Sequence, residues 1–381
     1  MNERQIMHID LDTFFVSVER LTNPKLVGMP VLIGGTSDRG VVASCSYEAR
    51  KYGIHSAMPM RMARQLCPEA IVVRGDSEQY SKYSKDVTDI IKENVPMYEK
   101  SSIDEFYIDL TGMDKFFGCY KLATEVRHKI MKETNLPISF ALSTNKTVAK
   151  VGTGEAKPNG QQEIPMGTER SFLGPLSIKK IPMVGDKTYR VLSELGVKYI
   201  YTMQEMPVEL VERVLGINGR VIWKKANGID NTPVEQYSER KSISTERTFD
   251  KDTIDVKGLK ALLVSMTEKL AFQLRSEQKL TACITVKIRY SDFNTFTIQA
   301  HLPYTSLDHV LMEKAKELFD KLYQKRMLIR LIGVRLSHLV QGNYQYNLFE
   351  DCTEQLQLYN AMDRMRMRYG ADAVQRASGI E

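Results

Sequence analysis

Asp10 and Asp12 stand two residues apart in QIMHIDLDTFF, and Asp104 and Glu105 stand side by side in SSIDEFYIDL. Carboxylates are hard oxygen donors, and three of them converging make a site for a hard divalent cation. Two such ions about 3.5–4 Å apart clamp an in-line phosphoryl displacement, so the chemistry within reach is phosphoryl or nucleotidyl transfer. On a strand, Asp10 and Asp12 leave the same face. Adjacent residues normally point to opposite faces, so Asp104 and Glu105 meet at one site only on a turn or bend, which the polar SSID run allows. Acid pairs at strand ends are more often solvated surface, and these gain weight only from their company.

That company is basic and aromatic. Tyr47 and Arg50, in SCSYEARKYG, put a hydroxyl and a guanidinium on neighbouring helical positions, and Lys157 in AKPNG adds a point charge at a turn. Arginine forks two phosphate oxygens and tyrosine donates one hydrogen bond. Each alone is ordinary surface, but together they form a triphosphate grip opposite the carboxylates.

The elements that must hold these residues follow from pattern. QIMHIDLDTFF reads as a strand with acids at its exit, VVASCSY (41–47) as a second, 103–110 as a buried strand ending at Gly112, and PISFALST (137–144) as another. Residues 80–95 have helical length and polarity, and Leu122, Val126 and Ile130 recur on one helical face. Strands alternating with helices suggest an α/β or α+β sheet domain. Residues 166–230 are helical and punctuated by Gly and Pro, and 231–240 read as a linker. From Lys241 the order is βαββαβ, with strands at 242–249, 281–290, 295–300 and 328–339, the element order of the ferredoxin-like split unit.

The chain has 381 residues, enough for two to four domains. Its 43% hydrophobic and 26% charged content is that of a globular protein, and no apolar run approaches a membrane span. The start MNERQIMHID lacks a signal peptide's apolar stretch, which makes the cytoplasm the expected compartment. Cys45, Cys67, Cys119, Cys283 and Cys352 are odd in number and show no C-x-x-C spacing, so neither structural zinc nor a disulfide framework is expected. Net charge is +6, distributed as zero over 1–165, +3 over 166–230, +5 over 231–341 and −2 over 342–381. A polyanion would find its place against the basic second half.

IDLDTFF, ASCSYEARKYGIHSAMP, SSIDEFYIDL and KPNG, in this order, closely resemble the Y-family DNA polymerases, in particular the bacterial polymerase IV type. The resemblance implies an α+β right-hand polymerase with palm (1–10 and 77–165), small fingers (11–76), helical thumb (166–230), linker (231–240), little finger (241–341) and a tail (342–381). It implies a DNA-directed DNA polymerase that acts at low fidelity in translesion synthesis, as a bacterial, nucleoid-associated, cytoplasmic monomer away from membranes. Asp10, Asp104 and Glu105, with the Leu11 carbonyl, match the family's ligands for two Mg2+, for which Mn2+ can substitute. Tyr47, Arg50 and Lys157 match its triphosphate contacts, and Ser44 joins them. Asp12 matches a position that is not usually a direct ligand. Phe15 matches the steric gate, a ring against C2′ that leaves no room for a ribose hydroxyl, whereas Phe14 belongs to the core. Ala43, Ser44 and Ala57 are small residues near the expected nascent pair.

IPMVGDKTYRVLSELG (181–196) resembles a helix-hairpin-helix whose turn at Gly185 and first helical residues, with Lys187, take a DNA phosphate. Arg247, Lys287, Arg289 and Arg330 are candidates for tracking template and primer phosphates, unless some pair with Glu246 or Asp250. Gln345, Leu348 and Phe349 resemble the sliding-clamp peptide Q-x-x-L-F, and 353–376 reads as an amphipathic helix. The partners implied are primer-template DNA, a dNTP and the clamp. A catalytically silent DNA-binding scaffold of the same fold has no chemical reason to keep all six polar site residues. A palm-type nucleotide cyclase would not need the DNA-holding elements.

Overall fold

The computed structural model describes residues 4–113, 118–236, 239–342 and 353–379. They form two compact units, Met1–Ser238 and Glu239–Glu381. The first contains strands β1 (Ile6–Leu11), β2 (Val31–Gly34), β3 (Val42–Cys45), β4 (Ile71–Val73), β5 (Met97–Lys100), β6 (Glu105–Asp109), β7 (Ile138–Ser143) and β8 (Gln161–Glu163). Five of these make one sheet in the order β5-β6-β1-β7-β8, antiparallel except for the β7/β8 pair.

Strand alternation gives this sheet two distinct faces. Met7, Ile9 and Leu11 of β1 join Phe106, Ile108, Phe140 and Leu142 in a core closed by Val87, Ile90 and Ile91 of the helix Ser77–Asn94 and Ala123, Val126 and Ile130 of the helix Cys119–Thr134. The opposite face of β1 carries Ile6, His8 and Asp10. There the helix Lys146–Ala156 packs with Val148 and Val151, in a core that continues into five short helices between Glu169 and Ala226.

Residues after β1 build a small layer in which β3, β2 and β4 lie side by side around Leu32, Val42, Cys45, Ile54 and Met60. Beyond Ala226 the chain returns to the large sheet. Asn145 Nδ2 donates to the Gly228 carbonyl (2.9 Å), Thr147 Oγ1 to Asp230 Oδ2 (2.6 Å) and the Glu235 amide to Glu99 Oε2 (2.7 Å). Val234 is buried with Ile6 and Tyr107. The segment expected to be a linker is therefore strapped to the first unit through residue 235, and the division of the units falls just beyond it.

The second unit is β9 (Ser242–Thr253), β10 (Lys279–Tyr290), β11 (Thr295–Thr305) and β12 (Ile329–Gln341), with the helices Val256–Ser276 and Asp308–Leu322 on one face. The βαββαβ element order is as expected, but the sheet runs β11-β10-β12-β9. The second and fourth strands are central, whereas the ferredoxin-like unit centres its first and third. Element order does not fix strand neighbours, and the ferredoxin-like topology is corrected accordingly.

The tail helix runs Thr353–Tyr369, shorter than expected, and Gly370 in a left-handed conformation (φ 99°) follows it. Tyr359 packs against Leu307, Val310, Leu356 and Met362. Arg275 pairs with Asp363 and Asp308, each at 2.5 Å, and Arg366 pairs with Glu268 at 2.6 Å.

Candidate active site

β1 and β6 pair so that Asp10 lies directly opposite Glu105. Just before β6, the amides of Ser101 and Ser102 both donate to the Glu105 carbonyl, closing the expected bend. Asp104 sits in that bend, its carbonyl accepting from the Leu11 amide at 3.0 Å and its Oδ1 accepting from Ser102 Oγ at 2.6 Å. Three carboxylates thus gather at one end of two neighbouring strands. Two amines stand among them. Lys157 Nζ is 2.5 Å from Asp10 Oδ1, and Lys150 Nζ is 2.5 Å from Glu105 Oε2. Burial pushes the Asp10 carboxyl up to about 6; Lys157 opposes this, and the charges of Asp104 and Glu105 add to it. A carboxyl raised this way gains from added positive charge.

Asp12 leaves the same face as Asp10 but is 1% exposed and fully engaged. It accepts from Tyr47 OH (3.3 Å), Ser139 Oγ (2.8 Å) and the Asn159 amide (2.5 Å). Its role is to hold Tyr47 and the turn after Lys157 in place. Arg127, buried in the helix Cys119–Thr134, supports the same turn by donating to the Asn159 carbonyl and side chain and to the Ile138 carbonyl. Sequence reading missed Arg127 and Lys150. The signal for Lys150 was present, since it shares a helix face with Lys146, whose amine meets Glu99 at 2.5 Å.

The chain leaves β1 through Thr13, whose left-handed conformation (φ 44°) is costly for a β-branched residue. Ser17 Oγ braces the turn by donating to the Asp12 carbonyl. The helix Phe14–Thr22 that follows buries Phe14 and presents Phe15 at its first turn. Phe15 stacks on Tyr80 with ring centroids 4.4 Å apart, and Tyr80 OH donates to Glu19 Oε1 at 2.6 Å. A pocket of about 390 Å³ opens above this pair, lined by Phe15, Ile33, Gly34, Gly35, Ala43 and Gly75 among others. Ser44 is buried in β3. Arg50 is exposed on the short helix Tyr47–Arg50, its guanidinium 4.9 Å from the Tyr47 ring centre. Burial, then the neighbouring Asp12 carboxylate, hold the Tyr47 phenol well above its ordinary value, so it remains a proton donor.

Farther from the carboxylates, Gly185 precedes the helix Asp186–Glu194 with an ordinary extended backbone, and Lys187 lies in its first turn. The left-handed residue of that hairpin is Met183 (φ 80°), not a glycine. In the second unit, Lys287 and Arg289 share the sheet face away from the helices, and Arg335, next to Thr285 in register, shares it too. Lys287 is paired with Glu246 at 2.8 Å, and Arg289 Nε donates to Thr295 Oγ1. Arg247 has the parity of its partner Ile332 and so lies on the other face. Arg330 occupies a register break and lies over the Phe293 ring at 4.4 Å. The four expected phosphate contacts are thus not one stripe. Gln345, Leu348 and Phe349 lie outside the described residues.

The sequence pattern of the impB/mucB/samB family matches residues 9–154, and that of the family's C-terminal domain matches 240–348. The chain is 38% identical over 379 residues to a DNA polymerase IV of Dehalococcoides mccartyi, covering 98% of this chain and 97% of the relative. It is 39% identical over 345 residues to that of Lactococcus lactis subsp. cremoris, covering 88% and 94%. Among solved structures, a Y-family DNA polymerase chimera superposes with a TM-score of 0.77 at 27% identity, covering 89% of this chain and all of that one. DinB from Sulfolobus solfataricus gives 0.62 at 27% identity over the same shares. The chain belongs to the impB/mucB/samB family of Y-family DNA polymerases and is a DNA-directed DNA polymerase.

Proposed function

We propose that the chain extends a primer by two-metal nucleotidyl transfer at low fidelity and carries synthesis past damaged template bases. The observation that carries this is Asp10 and Glu105 opposite each other on β1 and β6, with Asp104 in the bend just before β6 and the Asp10 carboxyl raised to about 6. An all-oxygen donor set fits Mg2+, with Mn2+ as substitute. These three carboxylates and the Leu11 carbonyl would hold two ions, which supply charge neutralisation for the triphosphate and a lowered pKa for the primer hydroxyl when bound.

The remaining work is positioning. Tyr47 turns its hydroxyl from Asp12 to donate one hydrogen bond, and Arg50 donates two, to triphosphate oxygens, with Ser44 and Lys157 beside them. Phe15, backed by Tyr80, packs against the sugar. The primer 3′-hydroxyl attacks the α-phosphate; that P–O bond forms as the bond to the leaving pyrophosphate breaks. The small residues of the pocket above Phe15 support loose shape checking and room for an altered base.

In domain terms, residues 1–10 and 77–165 serve as palm, 11–76 as fingers, 166–230 as thumb and 241–341 as little finger. Gly185 and Lys187 take one DNA phosphate, and basic residues of the second unit take others. Gln345, Leu348 and Phe349 fill a clamp pocket, and the enzyme works as a monomer.

The test is primer extension with Mg2+ and four dNTPs on undamaged and abasic templates. Wild type should extend distributively on both, with added clamp stimulating it but not a Leu348→Ala/Phe349→Ala variant. Asp104→Asn should keep DNA binding and fall below about a tenth of wild-type turnover. Higher residual activity would break the metal assignment, and arrest of wild type at the lesion would remove the translesion reading.

A further inference from the structure

The second unit carries a cluster of metal-ligating side chains that the polymerase reaction does not use. Cys283 of β10 lies directly opposite His301 of β11, and opposite Ser337, the neighbour of His338, on β12. The Cys283 sulfur and one nitrogen from each imidazole all lie within 4.8 Å of one another. The two rings are 5.3 Å apart, inclined at 42°. Cys283 is a free, fully buried thiol, whereas both histidines are exposed. Among the described residues, none of the three donor groups is committed to a hydrogen bond or an ion pair.

The backbone departs from regular strand geometry where it presents these groups. Strict alternation would send Ser337 and His338 to opposite faces. His338 instead adopts a left-handed conformation (φ 53°). The pairing of β10 with β11 breaks between Thr281 and Cys283, immediately beside the thiol. Bulges and left-handed residues re-aim side chains, and one of each flanks Cys283 on its two neighbouring strands.

We propose that Cys283, His301 and His338 bind a borderline transition-metal ion, Zn2+ being the best fit, with a fourth position open to solvent. One thiolate and two imidazoles suit Zn2+ and disfavour Mg2+, so this ion differs in class from that of the carboxylates. Bonds of about 2.0–2.3 Å bring tetrahedral donors within roughly 3.5 Å of each other, a closure that rotation of two exposed imidazoles supplies. Binding forms a metal–sulfur bond as the thiol proton passes to the buffer. The ion would tie β11 to β10 and β12 beside the break in their pairing.

Co2+ titration of the chelator-treated full chain tests this, because thiolate-bound Co2+ gives a sulfur-to-metal charge-transfer band that carboxylate-bound Co2+ lacks. Wild type should show the band at one equivalent and lose it to Zn2+. Cys283→Ser should lack it, and His301→Ala and His338→Ala, each losing a direct ligand, should bind at least about 10-fold more weakly, since losing even an outer-shell partner costs about 10- to 100-fold. Those two sites are exposed, so their variants are expected to fold, which circular dichroism checks. Asp104→Asn should retain the band. No band in wild type, or one that persists in Cys283→Ser, would overturn the assignment, as would undiminished affinity in both histidine variants.

Discussion

Phe15 and Asp12 lie three residues apart and do opposite kinds of work. Asp12 spends its carboxylate inside the protein, on Tyr47, Ser139 and the Asn159 amide. Phe15 keeps one side of its ring in an open pocket and rests the other on Tyr80. A gate works only if it cannot swing, and Tyr80 is itself tied to Glu19. Phe15→Ala should therefore lower discrimination between dATP and ATP by about ten- to a hundredfold, and Tyr80→Ala by less, since it removes the support and leaves the ring. Single-nucleotide insertion kinetics measure both, and unchanged discrimination in Phe15→Ala removes Phe15 from the gate. The carboxylates and Phe15 could be singled out because they sit in motifs. Arg127 and Tyr80 were not, because a supporting residue is marked by what it touches across the fold, and no local spacing encodes that.

Elements were legible for a related reason. Apolar period two or near four announces a strand or a helix, and the βαββαβ order followed from it. Strand neighbours did not follow, because side-chain pairing across the sheet chooses β12 to lie between β9 and β10. Composition likewise reads 231–240 as a linker and does not show that the chain from Gly228 to Glu235 is fastened to the sheet. Asp230 is the main fastening. Burial would raise its carboxyl, but bonds from Thr147 and Thr232 and the Lys225 charge outweigh this and hold it at about 2. A carboxyl depressed in the folded state stabilises when ionised. Its contribution is complete above about pH 4 and is lost as pH falls toward 2. Asp230→Asn should lower stability by on the order of 1–2 kcal/mol at pH 7, with the gap to wild type closing between pH 4 and pH 2. The single tryptophan, Trp223, lies in this unit and reports its urea unfolding by fluorescence. A gap that stays constant with pH would show that the Asp230 charge does not fasten the strap.

Across the whole molecule, charge separates along the chain as it would for an enzyme whose chemistry lies in one part and whose grip on a polyanion lies largely in another. The first 165 residues are balanced, while 231–341 carry +5. A count of basic side chains overstates the grip, because Lys287 is already neutralised by Glu246 at 2.8 Å. Arg289, bonded among the described residues only to the neutral Thr295 hydroxyl, has its full charge to offer. A phosphate contact releases about 0.9 of a counterion, so each one lost lowers the slope of log affinity against log salt by nearly one. Arg289→Ala should therefore reduce that slope by about 0.9, and Lys287→Ala by clearly less. Glu246→Gln should move in the other direction, tightening primer-template binding at low salt as Lys287 is released to a phosphate. Fluorescence anisotropy across a salt series, on one duplex and on a second of unrelated sequence, measures all three. Equal slopes for wild type and Arg289→Ala would take this sheet face out of contact with DNA. A Glu246→Gln variant that binds no better would mean that Lys287 serves the sheet, with its carboxylate partner, and not the nucleic acid.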